Sequence, residues 1–315
     1  MQIQVIVNQI LILSLITLIG IIGVKIKIIT FQVKDSLAKL VFNITLPLLI
    51  FTTVSSMEFS GELFRDGLIV FVYAFLALIL LYAAAIVSCR FMGLKDQKRI
   101  VHILHTMFGN IVFLGFPLFN ALYPGGKGLF YAAIYQLAQD SIMWTFGIMM
   151  FNKNAGRKEL IRHLVNPNTI SFGLGILAMS IGFKLPYVFD KALSGLGHTT
   201  IFLSMLYIGS ILAGSSLKEL VRYKYAYVLS LNKMVVVPFL FILLIQLINR
   251  ILGISLSEEA KTVLIMQAAT PCMATIVVLA KQFNSDTQQA TNNMFTTTII
   301  SIFSLPFVYW LIQIL

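Results

Sequence analysis

Ten apolar stretches, each close to the length a lipid bilayer demands, fill this 315-residue chain and leave no room for a soluble domain. They run over 5–24, 37–56, 67–89, 101–122, 128–151, 169–185, 199–216, 226–248, 262–280 and 290–314. Hydrocarbon offers no partner to a free N–H or C=O, so segments of this length must be helices that satisfy their own backbones. The fold class that follows is an all-α polytopic membrane protein with ten transmembrane helices. Composition agrees, with 58% hydrophobic residues, 11% charged residues and a mean hydropathy of +0.91, where soluble domains carry about 25% charged residues. The longest hydrophilic stretch, 152–168, is only a loop.

A net charge of +11 would suggest nucleic acid in a soluble protein, but the placement of the basic residues argues otherwise. Alternate loops, at 25–39, 90–99, 153–162, 218–224 and 281, hold 16 of the 23 Lys and Arg residues. The positive-inside rule puts those loops in the cytoplasm of a cell membrane and both termini outside. Nucleic acid is therefore not an expected partner. The first span lacks a basic leader and a small-residue cleavage site, so it reads as a retained helix. Cys89 and Cys272 fall in or beside apolar spans and are expected to be packing residues.

Five spans precede the 152–168 loop and five follow it, an odd number that turns the second half upside down relative to the first. The predicted organisation is an inverted repeat, 1–155 (spans 1 to 5) and 156–315 (spans 6 to 10). Two spans in matching positions are interrupted. Span 4 carries Gly109, Asn110, Gly115 and Pro117, and span 9 carries Gln267, Thr270 and Pro271. Proline removes a backbone donor and disfavours helix at the preceding residue, while glycine lowers helix propensity. Unwound backbone at membrane depth survives only where it is buried or lines a cavity. Half-helix N-termini there present partial positive charge suited to a carboxylate. Prolines that merely kink continuous helices are the alternative.

Polar faces flank the interruptions. Span 5 has Gln136, Gln139 and Asp140 on one face, and span 10 opens with Thr291, Asn292, Asn293 and Thr296. Asn110 is a mid-span amide able to donate to a substrate oxygen, and its alternative role is an interhelical hydrogen bond. Asp140 lies near the bilayer centre and should be protonated, paired or exposed to a water-filled cavity. It is the candidate for coupling to a proton or sodium ion, with a neutral acid in helix packing as the alternative. Lys233, about eight residues into span 8, is expected to snorkel to the interface. Small residues at Gly173, Gly175 and Gly209-x3-Ala213 suit close helix approach and favour a homodimer built on spans 2 and 7.

These motifs resemble the auxin efflux carrier family of plants, bacteria and archaea, in order and spacing, over nearly the whole chain. The likeness is carried by LVFNITLPLLIF at 40–51, GNIVFLGFPLFNALY at 109–123, NPNTISFGLGIL at 166–177 and QAATPCMATIVVLAKQFN at 267–284, with Pro306 beyond. The resemblance implies ten helices with helices 4 and 9 unwound and crossing near the midplane. It implies a dimerising scaffold of helices 1, 2, 6 and 7 and a transport domain of the rest that slides as an elevator. Carried onto this sequence, it adds Asn43 to the substrate-site candidates and Pro47 to the residues that shape the crossover. Family members have the asparagine found here at 110, but plant members have proline where this chain has Gly109. Family members often carry an amide where this chain has Asp140.

The functional expectation is a secondary carrier of a small organic anion, a carboxylate, working by alternating access. A symporter or antiporter of another solute is the alternative. A channel would need a continuous polar pore, and an intramembrane protease would need a second acid or a base beside Asp140. No cofactor is expected. His102 and His105 share a helix face but have no third ligand at conventional spacing. Gly125-Gly126-Lys127-Gly128 lacks the rest of a phosphate loop and reads as a turn.

Overall fold

A computed structural model describes residues 2–152, 165–214 and 224–315. The basic residues expected in the loops at 153–162 and at 218 and 222 lie outside the described residues. Twelve helices are described: α1 Gln2–Lys25, α2 Phe31–Ser56, α3 Gly61–Phe91, α4 Asp96–Met107, α5 Ile111–Leu122, α6 127–151, α7 Pro167–Ser180, α8 Tyr187–Leu212, α9 Lys224–Leu252, α10 Glu258–Ala268, α11 Ala274–Gln282 and α12 Thr287–Ile314. Among the described residues, six (α1, α2, α3, α8, α9 and α12) are long and apolar enough to cross a membrane.

Several helices start earlier than their apolar cores because polar residues cap or extend them. Thr30 accepts from Val33 N–H to start α2, Ser60 accepts from Leu63 N–H to start α3, and Asn166 accepts from Asn168 and Thr169 N–H to start α7. Helix α8 begins 12 residues before the predicted span. Its polar residues return their hydrogen bonds to its own carbonyls, Ser194 to Asp190 at 2.5 Å and Thr199 to Leu196 at 2.6 Å, so they do not break it. At the 123–126 turn Gly126 takes φ +86° as it caps α6, a conformation that favours glycine.

Pro47, Pro117 and Pro238 do not break their helices. Each is preceded by a wider π turn, Val41–Thr45, Ile111–Gly115 and Asn232–Val236. The extra residue relieves the clash between the proline ring and the carbonyl one turn back. The interruptions lie elsewhere. One falls between Met107 and Ile111, the other between Ala268 and Ala274.

The helices form two groups that also touch each other, α1 on α5 and α12, α2 on α6 and α8 on α5. Helix α1 lies along α8, and α7 and α8 both lie on α2. Glycines let these backbones touch. A Cβ on Gly209 would sit 2.1 Å from Thr17 O of α1, one on Gly197 2.7 Å from Leu49 N of α2, and one on Gly175 2.9 Å from Val54 Cβ of α2. Gly209 and Gly175, which the sequence marks for close helix approach, make that approach within the chain. The second group joins α3 to α4, α6 and α10, and α12 to α9 and α11.

Asp66, a fully buried acid, fastens this second group. It accepts from Arg65 Nη2 at 2.9 Å and, through its other oxygen, from Ser257 N–H at 2.9 Å, which ties α3 to the N-cap of α10. Asp66→Ala removes the tie and leaves the half-buried Ser257 N–H without its partner, and should destabilise the protein by about 1 kcal/mol. Thermal unfolding in detergent checks this, and an unchanged midpoint would show that the tie is dispensable.

Candidate functional site

The two interrupted segments meet at a single antiparallel bridge between Gly109 and Cys272. Asn110 N–H donates to Pro271 O at 2.7 Å, and Met273 N–H donates to Phe108 O at 3.2 Å. Each strand-like turn is also held from the flanking helix. Gln139 of α6 accepts from Gly109 N–H at 2.9 Å and donates to Gly109 O at 3.1 Å, while Thr297 of α12 accepts from Cys272 N–H at 3.0 Å. Backbone groups that α4, α5, α10 and α11 cannot satisfy internally therefore find partners away from lipid.

The fit at the bridge requires glycine. A Cβ at position 109 would lie 2.0 Å from Thr270 Oγ1, and one at Gly115 would lie 2.5 Å from Gln267 Oε1. Thr270 itself donates to Gln267 O at 2.7 Å. Gln267, Thr270 and Pro271 thus form the inner surface of the crossing rather than a cavity wall, a placement that spacing along one helix could not reveal. Gln267 is 1% exposed, and both its side-chain polar atoms lack a protein partner.

A cavity of about 280 Å³ opens beside this crossing. Its wall contains the first residues of both second half-helices, Asn110 to Phe113 of α5 and Met273 to Thr275 of α11, together with Gln136, Gln139 and Asp140 of α6. Of the residues singled out in the sequence, Gly109, Asn110, Gln139, Asp140 and Asn43 are brought together here. Asn110 Oδ1 accepts from Phe113 N–H at 3.3 Å as the N-cap of α5, and its Nδ2 has no protein partner among the described residues. Asp140, 6% exposed, receives one side-chain hydrogen bond, from Gln136 Nε2 at 3.1 Å. Asn43 sits at the rim, exposed, and donates to Lys39 O at 3.0 Å.

The remaining wall is mostly apolar and aromatic, with Phe42, Trp144, Tyr207 and Val278, and at the rim carries Lys39, which pairs with Asp35 at 2.7 Å. Phe113 and Tyr207 pack with ring centroids 4.8 Å apart, which sets α5 against α8. The lining residues away from the crossing come from the first half of α2, the middle and C-terminal part of α6, the C-terminal part of α8, and α11 as it runs toward Lys281.

Lys233 departs from the sequence expectation. It does not snorkel but is fully buried, and Nζ donates to Thr106 O at 2.9 Å. The π turn at Asn232–Val236 turns this side chain inward. Thr106 is in the last turn of α4, where carbonyls have no partner within the helix, and the neighbouring His105 O accepts from Cys272 Sγ at 3.5 Å. Cys272 is thus a member of the crossing as well as a buried residue. His102 hydrogen-bonds Ser88 Oγ at 2.8 Å, while both ring nitrogens of buried His105 lack partners. Neither Lys233 nor Cys272 carries a local sequence signal for this role.

Comparison with known proteins agrees with the motifs. The model of a family described as membrane transport protein matches residues 5–309. The chain is also 26% identical over 314 residues to an uncharacterized transporter of Methanocaldococcus jannaschii, covering 97% of this chain and 98% of that one. A match of that length, over a helical chain with two interrupted segments, makes this protein a member of the membrane transport protein family, the auxin efflux carrier family.

Proposed function

We propose that this transporter is a secondary carrier of a small organic anion, a carboxylate, bound in the 280 Å³ cavity. The observation that carries the reading is the convergence of two half-helix N-termini, at Asn110–Phe113 and Met273–Thr275, on that one cavity. Each N-terminus is equivalent to roughly half a positive charge, so two together offer about one, matched to one carboxylate. Asn110 Nδ2 adds a donor, and the aromatic wall accepts an apolar body.

An elevator-type alternating access fits the packing. Helices α1, α2, α7 and α8 supply the fixed group and the rest supply the moving one, with the Phe113–Tyr207 contact between them. The bonding of Gly109 by α6 and of Cys272 by α12 supports an inverted repeat of two five-span halves. Under the ten-span threading with the basic loops in the cytoplasm, the cavity opens inward.

A screen of the purified protein against mono- and dicarboxylates by ligand-induced thermal shift tests the reading. Asn110→Ala should weaken binding of any hit by about 1–3 kcal/mol, because the anion loses a donor it cannot replace in a buried site. Unchanged affinity would remove Asn110 from the site.

One observation favours coupling to a cation or proton. Asp140 shares the cavity with the proposed anion site and has a single donor. Asp140→Asn keeps the shape and removes the charge, so substrate uptake into proteoliposomes should lose its dependence on pH or on sodium. Retention of the wild-type dependence would make Asp140 a structural residue.

A further inference from the structure

A second cavity, of about 290 Å³, lies on the opposite face of α5, between α1 and α8 on one side and α5 and α12 on the other. From this cavity we infer that an acyl chain of a bilayer lipid inserts between the two helix groups and packs against the back of the half-helix that presents Asn110. The inference is independent of the substrate proposed above.

Three observations assign the occupant. The wall is almost wholly apolar, and three of its four hydroxyls are spent on their own helices: Thr17 donates to Leu13 O at 2.8 Å, Thr298 to Met294 O at 2.7 Å and Ser301 to Thr298 O at 2.6 Å, leaving Ser14. Water entering would find few partners, and apolar cavities of roughly 150 Å³ are known to stay dry and take up hydrocarbon. Second, the mouth faces lipid. Leu18 is 52% exposed and Ile299 37% exposed, yet both line the cavity, and α1 around Leu18 presents exposed Leu15, Ile19 and Ile22. Third, these positions lie in the middle of α1 and α12, the depth at which the surrounding solvent is acyl chain and not headgroup. A chain seated here would touch Leu114 and Leu118, on either side of Gly115.

The test uses the full-length protein in nanodiscs of phosphatidylcholine that carries a photoactivatable diazirine near the end of one acyl chain, with labelled residues mapped by mass spectrometry. Leu13 and Leu305, 4% and 1% exposed, line the cavity and are out of reach of a lipid outside it. They should be labelled along with exposed Leu15. Ser14→Phe and Ser301→Phe, made separately, fill the space from α1 and from α12. Each should reduce labelling at Leu13 and Leu305 to the level of an unirradiated sample while labelling at Leu15 persists, which also reports that the variant is inserted. Label confined to Leu15 and its exposed neighbours in the wild type would overturn the inference. So would undiminished labelling of Leu13 and Leu305 in both filled variants.

Discussion

Gly109→Ala should leave a protein that binds no substrate, even though the change adds a single carbon. That carbon would lie 2.0 Å from Thr270 Oγ1, well inside contact distance, and that hydroxyl is held in place by its donation to Gln267 O at 2.7 Å. Overpacking of a filled interior costs about 1–3 kcal/mol. At this position the strain acts on the bridge itself, because Gly109 exchanges both backbone groups with Gln139 and its neighbour Asn110 donates to Pro271 O. Separating the segments would misplace both half-helix N-termini together. The cause can be isolated: Thr270→Ala removes the hydroxyl and leaves the nearest atoms, Gln267 O and the Cβ of residue 270, at 3.3 Å. The double variant should regain binding that Gly109→Ala lacks, a coupling that a double-mutant cycle measures. Absence of any rescue would mean that the hydroxyl contact is not what makes glycine necessary.

Lys233→Met is the second large effect. A buried ammonium at a helix C-terminus contributes up to about 2 kcal/mol by pairing with the negative end of the dipole, and Lys233 occupies that position on α4 through Thr106 O. Both first half-helices, α4 and α10, bring C-termini to the crossing. Their negative ends oppose the field that the N-termini of α5 and α11 present to an anion. Lys233 offsets that opposition from within the crossing. Methionine is close in length and apolar, so it keeps the packing, and the change costs about 1–3 kcal/mol of stability for the Thr106 carbonyl left without a donor. The variant should therefore still insert, with a lowered unfolding temperature, while its affinity for a carboxylate falls by at least tenfold, about 1.4 kcal/mol. Wild-type affinity would show that the Lys233 charge does not reach the cavity.

The interruptions at 107–111 and 268–274 were legible because glycine, proline and an amide inside an apolar span are costly in lipid unless a cavity needs them. Asn110, Gln139 and Asp140 were legible for the same reason. What the sequence could not show is direction. Lys233 reads as a snorkelling residue until the π turn ahead of Pro238 is seen to face it inward. Gly209-x3-Ala213 announces a close helix neighbour but not which one, and the neighbour of Gly209 is α1 of the same chain. Gln267 and Thr270 carry the polarity expected of a binding wall, yet they face the glycines of the other segment. Cys272 reads as an apolar packing residue because nothing local marks the partner of a bridge 163 positions away. Pro117 reads as part of the break in span 4, and the wider turn that accommodates it, as at Pro47 and Pro238, has no strong sequence signature.

Counterflow in proteoliposomes is the most direct test of anion carriage through this site. Vesicles loaded with an unlabelled carboxylate identified by the binding screen, then diluted into a trace of the labelled compound, should accumulate label transiently above protein-free vesicles. Excess internal carboxylate should drive that exchange without ATP, and vesicles bearing Asn110→Ala should show it only weakly. Counterflow with a neutral or cationic solute, and with no carboxylate tested, would contradict the account.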